Sequence, residues 1–256
     1  MSVNSYLSDL ASSLVLSESE NTHVSTSLST IKSRLDYYFD DLQKKKVFGS
    51  YDRGTILPRR ADEKSDIDLM VVFNNGYELQ PQTFFNKLKD FANYYYSSSE
   101  VHQSCPTVVL ELNHIKFELV PAYEQSYLYR IPLDATTWQY TCPDSFKNDL
   151  TECNKINNYK VKPVVRLMKW WNIEKNYRSM ASFSLEEKLS ADLKYAYFSC
   201  SSYTDYLKKS FESIKFSTDI SRVDTALGRI SKALSLEDEG YPIPALNEIK
   251  KVFPEL

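Results

Sequence analysis

Glycine is scarce in this chain, five residues among 256, so each should stand where the backbone needs a positive φ or a close approach to something else. Cysteine is sparse and scattered. Cys105, Cys142, Cys153 and Cys200 form no CxxC pair, and reduced thiols are the simplest reading. His23, His102 and His114 have no metal-ligand spacing with one another or with the cysteines, so zinc is not expected. No apolar stretch reaches the roughly 18 residues of a membrane span. The serine-rich first 16 residues lack the basic start of a secretion signal. A cytoplasmic protein without membrane contact is the expectation. Positive charge is also in short supply: the formal net charge is −3 and the pI about 5.7. That argues against gripping duplex DNA or RNA through a basic surface. Small anionic substrates stay compatible, because a few placed Lys and Arg side chains bind them locally. The runs Lys44-Lys45-Lys46, Lys208-Lys209 and Lys250-Lys251 read as solvated ends of elements.

Apolar and aromatic bulk is plentiful. With 42% hydrophobic and 14% aromatic residues the chain can build a core, and wholesale disorder is excluded. Most of the rings, Trp138, Trp170 and Trp171 among them, are expected in packing, with base stacking the minority use. The length favours two modest domains over one large one. Helical spacing is expected over residues 5–16, from Leu28 through Leu42 as one long helix ending before Gly49, and over 82–96; residues 17–23 read as a break. Leu69–Phe73 suits a central strand that stops at the turn Asn74-Asn75-Gly76. Thr107–Leu112 and Ile115–Val120 read as a hairpin closed by Asn113-His114, and Pro121 and Pro132 bracket an irregular stretch. From about 144 onward helical periodicity dominates: Val161–Trp171, then segments near 184–200, 203–214, 220–236 and 242–252. The expected fold class is α+β, with a mixed-sheet domain and N-terminal helices over residues 1–143 and a helical domain over 144–256. The cleft between the halves is the expected ligand site.

Two of the five glycines, Gly49 and Gly54, fall in one short segment, Phe48-Gly49-Ser50-Tyr51-Asp52-Arg53-Gly54-Thr55. A turn of small residues there can hold phosphates. It is followed by Ser65-Asp66-Ile67-Asp68-Leu69, in which Asp66 and Asp68, two apart in a strand, leave the same face. Paired carboxylates beside a phosphate turn are what divalent-metal chemistry on a nucleoside triphosphate requires. Nucleotidyl transfer uses two metal ions about 3.5–4 Å apart held by acidic side chains, and a third carboxylate is normally needed. Glu118, in Lys116-Phe117-Glu118-Leu119, projects toward Asp66 and Asp68 if the strands pair. The bland alternatives stay open. The aspartates could open an ordinary strand, Glu118 could pair with Lys116 or another lysine on an edge strand, and Lys169 could sit on the solvated face of a helix.

Taken together, Gly49-Ser50, Asp66-x-Asp68 and Glu118 resemble the signature of the DNA polymerase β-like nucleotidyltransferases. The finer text is similar to the cGAS/DncV-like branch. There the turn reads GSYxRGT before DIDL, matching Gly49–Thr55 and Asp66–Leu69, and the third acid lies in a phrase like FDVVPA, here Phe117–Ala122. Lys162–Trp171 is similar to the family's LKPLVRLLKYW helix, and Ser182–Glu186 occupies the SFLLE-like position. The resemblance covers roughly residues 40 to 256. It implies a polymerase β-like core with Asp66, Asp68 and Glu118 binding Mg²⁺ or Mn²⁺, and Gly49-Ser50 on the β- and γ-phosphates. Arg53 would orient the loop or the donor, and Lys169 and Ser182 would meet the triphosphate from the helical half. The third position departs from the commoner Asp. The longer Glu118 arm shifts its carboxylate by about one C–C bond, and a misplacement of about 1 Å can cost about 100-fold in rate.

The resemblance implies synthesis of a cyclic di- or oligonucleotide from nucleoside triphosphates, ATP first, in anti-phage signalling, with a separate effector protein reading the product. A regulatory protein partner is a further option. Two competitors remain at this stage: a transferase adding nucleotides to an RNA end or a protein side chain, in the manner of a toxin, and a catalytically silent nucleotide-binding scaffold. The acidic surface counts against a large nucleic-acid acceptor, and the presence of all three carboxylates counts against the scaffold.

Overall fold

A computed structural model describes residues 1–74 and 76–256; Asn75, in the middle of the expected turn, lies outside the described residues. The elements are α1 (Val3–Ser13), α2 (Glu18–Tyr38), β1 (Leu42–Phe48), α3 (Gly49–Arg53), β2 (Asp66–Phe73), α4 (Pro81–Tyr95), β3 (Val101–Ser104) and β4 (Thr107–Glu111). They continue with β5 (Lys116–Gln125), β6 (Leu128–Pro132), β7 (Trp138–Thr141), α5 (Pro143–Ile156), α6 (Val161–Glu174), α7 (Ser182–Glu187), α8 (Tyr203–Ile214), α9 (Ile220–Asp238) and α10 (Pro242–Val252). Two compact units emerge. The sheet unit comprises Leu16–Arg59 and Lys64–Ser145, and the helical unit Met1–Val15, Arg60–Glu63 and Phe146–Leu256. The first helix thus groups with the last ones, although chain order alone assigns it to the first half.

The sheet is mixed, in the order β1-β2-β5-β4-β3, with β6 and β7 continuing from the far end of β5. Its central pair, β2 and β5, is parallel, and β1 and β4 flank that pair antiparallel. Period-2 alternation divides β2 between two environments. Ile67, Leu69, Val71 and Phe73 enter a core built with Leu28, Ile31 and Leu35 of α2 and Phe84, Leu88 and Phe91 of α4, while Met70 and Val72 pack on the opposite face with Ala122 and Tyr129. Each fully buried side chain of this size contributes about 1.5–3 kcal/mol, so β2 cannot slip by one residue without exposing a whole row. Asp66 and Asp68 share the face of Met70 and Val72 at the strand's open end.

Several expectations are corrected. The supposed break at 17–23 is the start of α2: Ser17 Oγ accepts from Glu20 N at 3.2 Å, and Ser17 N donates to Glu20 Oε2 at 2.7 Å, a reciprocal capping box. The long helix ends at Tyr38, and the lysine run is strand, not a solvated helix end. Lys44, Lys45 and Lys46 lie on edge strand β1, charged as edge strands commonly are, and pair with Glu124, Asp36 and Asp144. The stretch between Pro121 and Pro132 is no irregular loop, because β5 runs through Pro121 to Gln125 and returns as β6. Near 188–192 the expected helix gives way to a π-helical turn. The Asn113-His114 hairpin is present, with Leu112 N donating to Ile115 O at 3.1 Å and Glu111 opposite Lys116.

In the helical unit α6 is buried along most of its length, enclosing Val164, Val165, Leu167, Met168 and Trp171 together with the polar Lys169 and Asn172, with Trp171 edge-on to Phe211 at 4.9 Å. Helix α1 is tied in by Tyr6, whose hydroxyl donates to Phe253 O at 2.6 Å, and by Val3 N, which donates to Glu237 Oε1 at 2.8 Å. Glu248 of α10 accepts from Arg229 and Lys232 of α9 and from Lys251, at 2.9, 3.2 and 2.7 Å. No helix among the described residues is long and apolar enough to cross a membrane.

Candidate active site

The site begins where β1 ends. Phe48 pairs with Asp68 across the antiparallel ladder, and the next residue, Gly49, opens the short turn of helix α3 with φ +72°. A Cβ on Gly49 would lie 1.7 Å from Asp68 Oδ2, so only glycine lets the turn approach the carboxylate. Ser50 follows immediately, and its carbonyl accepts from Thr55 N and Ile56 N at 2.9 and 3.1 Å. Gly54, with φ +70°, ends α3 in the left-handed conformation. Both glycines of the motif therefore stand at positive φ.

The strand register then sets the charges. In the parallel β2–β5 pair Asp66 lies opposite Lys116 and Asp68 opposite Glu118. Alternation puts all four on one face of the sheet, as a rectangle of three carboxylates and one ammonium. Lys116 Nζ stands 2.8 Å from Glu118 Oε1 and 3.2 Å from Asp66 Oδ2. Burial, then the charges of Asp66 and Glu118, push the Asp68 carboxyl up to about 8, against the opposing pull of Arg53 and Lys116. Burial works against the Lys116 ammonium as well, but Glu118 and Asp66 outweigh it and its pKa is raised. Arg53 is itself buried.

The donor set suits a hard divalent cation. Asp66, Asp68 and Glu118 offer carboxylate oxygens on one face of the sheet, and Mg²⁺ and Mn²⁺ prefer such oxygen ligands. Among the described residues, however, no three acidic, His or Cys side chains gather around a single point.

The remaining expected residues lie on the helical unit. Lys169 is buried on α6, its Nζ 2.5 Å from Glu186 Oε1, and the glutamate is fully enclosed; the solvated-face alternative is overturned. Ser182 is exposed in the first turn of α7. Lys116 was expected only as an alternative partner of Glu118, a contact that is present at 2.8 Å, and Glu186 was given no role of its own. The signal for Lys116 was its i−2 spacing from Glu118, and for Glu186 its place four residues beyond Ser182, on the short helix facing α6.

A mixed sheet with paired carboxylates entering its central strand beside a glycine–serine turn, together with a helical unit, is a fold shared with solved cyclic-nucleotide synthases. A family model for the second messenger oligonucleotide or dinucleotide synthetase domain matches residues 1–154. The chain belongs to that family. A cyclic AMP-AMP-AMP synthase of an Acinetobacter species is 28% identical over 136 residues, a stretch that spans 49% of this chain and 38% of the relative. Among solved structures, CdnC of E. coli MS115-1 with ATP superposes with a TM-score of 0.72 at 15% identity, covering 98% of this chain and 97% of that one. The same CdnC is also known in a complex with HORMA-deltaN. DncV of Vibrio cholerae, a cyclic AMP-GMP synthase, gives a TM-score of 0.73 at 12% identity, covering 95% and 93%.

Proposed function

We propose that the protein is a metal-dependent nucleotidyltransferase that joins nucleoside triphosphates, ATP first among them, into a cyclic di- or oligonucleotide. The observation that carries this reading is the joining of glycine–serine turn and carboxylate face: Gly49 leaves no room for a Cβ against Asp68, so a triphosphate bound at the turn would lie beside the acids. Family membership and the cyclic-nucleotide synthases among the relatives support it. Mg²⁺ or Mn²⁺, held by Asp66, Asp68 and Glu118, would supply activation of the acceptor hydroxyl and charge neutralisation on the triphosphate. The chain's own groups do the rest. The Ser50 hydroxyl and the N–H groups of the Gly49-Ser50 turn bind the β- and γ-phosphates. Arg53 holds Asp68 toward its ionised form and fixes the turn. Glu118 stands nearest the acceptor hydroxyl, which attacks the α-phosphate as pyrophosphate leaves; a second attack closes the ring. Lys169 and Ser182 are proposed as further triphosphate ligands on the family resemblance, with Glu186 fixing the lysine.

The product is a signal for a separate effector protein in anti-phage defence, in the cytoplasm. The HORMA complex of CdnC makes a regulatory protein partner part of the same reading. The test is direct. The purified protein is incubated with labelled ATP, GTP, CTP and UTP and Mg²⁺ or Mn²⁺, treated with phosphatase and analysed by mass spectrometry. Phosphatase-resistant cyclic products are expected. Label on added RNA or protein, or no turnover under any of these conditions, overturns the reading. Asp66→Asn and Asp68→Asn should each lower turnover by more than about 100-fold, the upper range for disturbing a ligand's mere supporting partner. Their melting temperatures should hold or rise, because each change relieves like-charge repulsion on the carboxylate face.

A further inference from the structure

Lys116 has no part in the roles assigned above, yet it occupies the middle of the site. Its ammonium lies within 3.2 Å of Asp66 Oδ2 and 2.8 Å of Glu118 Oε1. A Mg²⁺ ion shared by those two carboxylates would need oxygens about 2.0–2.1 Å from its centre. An ammonium at hydrogen-bonding distance from both leaves no space for it. The placement follows from the fold. Lys116 sits opposite Asp66 in the parallel register and two residues before Glu118 on the same face, so a four-carbon arm from the first residue of β5 reaches between the acids without strain. Its side chain is 19% exposed, against 29% for Asp66 and 21% for Glu118, which leaves the contact open to small ions. A second partner is at hand. Glu111 on β4 lies directly opposite Lys116 in the antiparallel β4–β5 register, and cross-strand neighbours of opposite charge attract.

We propose that Lys116 is a built-in cation of the carboxylate site, holding the position between Asp66 and Glu118 that a divalent metal needs, and that the metal enters by displacing it toward Glu111. This inference rests on the nucleotidyltransferase reading and names the residue that tunes its metal requirement. A resident lysine offsets the repulsion among three carboxylates and keeps them aligned. It also competes with the metal, so that the site fills only where cation, or cation with triphosphate, is concentrated enough to win. Lys116 is a positioning residue in this scheme, acting through Asp66 and Glu118.

Two measurements test it, neither of them a turnover assay. Mn²⁺ binding to the purified protein is followed by electron paramagnetic resonance, for wild type and Lys116→Met. The variant should bind Mn²⁺ about tenfold tighter or more, the scale expected when one neighbouring like charge is removed, while its melting temperature in EDTA falls and is restored by Mn²⁺. A purely structural lysine would lower stability without tightening Mn²⁺. The second measurement uses the unaltered protein. Amine acetylation is quantified peptide by peptide with and without Mn²⁺, and Lys116 should be labelled several-fold faster when Mn²⁺ is bound, with Lys44 and Lys45 as internal references. Wild-type Mn²⁺ binding that leaves Lys116 labelling unchanged or slowed, or a folded Lys116→Met protein with equal or weaker Mn²⁺ affinity, overturns the displacement while leaving the metal site standing. No Mn²⁺ binding by wild type, with or without ATP, removes both this inference and the reading beneath it.

Discussion

Gly49 and Asp68 constrain each other at the level of single atoms. The strand fixes the carboxylate, the carboxylate fixes how much side chain the turn can carry, and that amount is none. Gly49→Ala therefore meets two obstacles, a left-handed φ and a Cβ directed into Asp68 Oδ2. Strain of this kind costs about 1–3 kcal/mol, and a shift of about 1 Å in the turn or the acid can cost about 100-fold in rate. We expect Gly49→Ala to lose at least that much turnover while remaining folded, as read by nucleotide-product yield beside urea denaturation. Gly228, with open space around its Cβ position, is the matched control, and Gly228→Ala in the interior of α9 should gain stability slightly.

Elements were legible in the sequence wherever one period dominated. The strand Leu69–Phe73, the hairpin around Asn113-His114 and the helices α4, α6, α8, α9 and α10 stood out because apolar spacing and turn residues agreed. The failures have physical causes. Strand β1 was hidden because three lysines in succession look solvated, and only tertiary pairing with Glu124, Asp36 and Asp144 makes them an edge strand. The start of α2 was hidden because its first turns are polar, although Ser17 and Glu20 already carried the capping-box spacing. The site was more legible than the fold around it. Gly49 lies against Asp68, and Asp68 lies opposite Glu118 in the strand register; the pairing of Glu118 with Lys116 was already among the alternatives open in the sequence, and only the added contact of Lys116 with Asp66 required the register. At this scale Glu248 offers a test, since it clasps α10 to α9. The contacts from Lys251 and Lys232 hold its carboxyl down to about 2, below the usual value of about 4.3. A depressed acid stabilises fully above its unfolded pKa and loses that contribution as pH falls through the folded one. The melting-temperature gap between wild type and Glu248→Gln should therefore be widest near pH 6–7 and close as pH falls from about 4 to 2.

At the scale of the whole molecule, the helical unit is assembled from distant stretches of chain. Helix α1 contributes Val3, Leu7 and Leu10 to the buried interior and joins residues near the far end through the Tyr6–Phe253 hydrogen bond. Tyr6→Phe removes that donor and leaves the Phe253 carbonyl without it, an effect of about 0.5–1.5 kcal/mol. Faster amide exchange around residues 249–253, with exchange in β2 and β5 unchanged, is the expected result. Equal changes in both units would mean that they unfold as one.

That same pairing sets a timetable for synthesis. Residues emerge from the ribosome in order, and domains tend to fold as units while translation continues. The sheet unit ends at Ser145, so Asp66, Asp68, Lys116 and Glu118 can be in register while more than a hundred residues are still to be made. Helix α1 precedes the sheet unit in the chain, yet its packing partners α6, α8 and α10 all follow that unit, so its apolar face is completed only after they have been made. The carboxylate face of this protein can be laid down early, and a helix made before it is among the last parts to find a place.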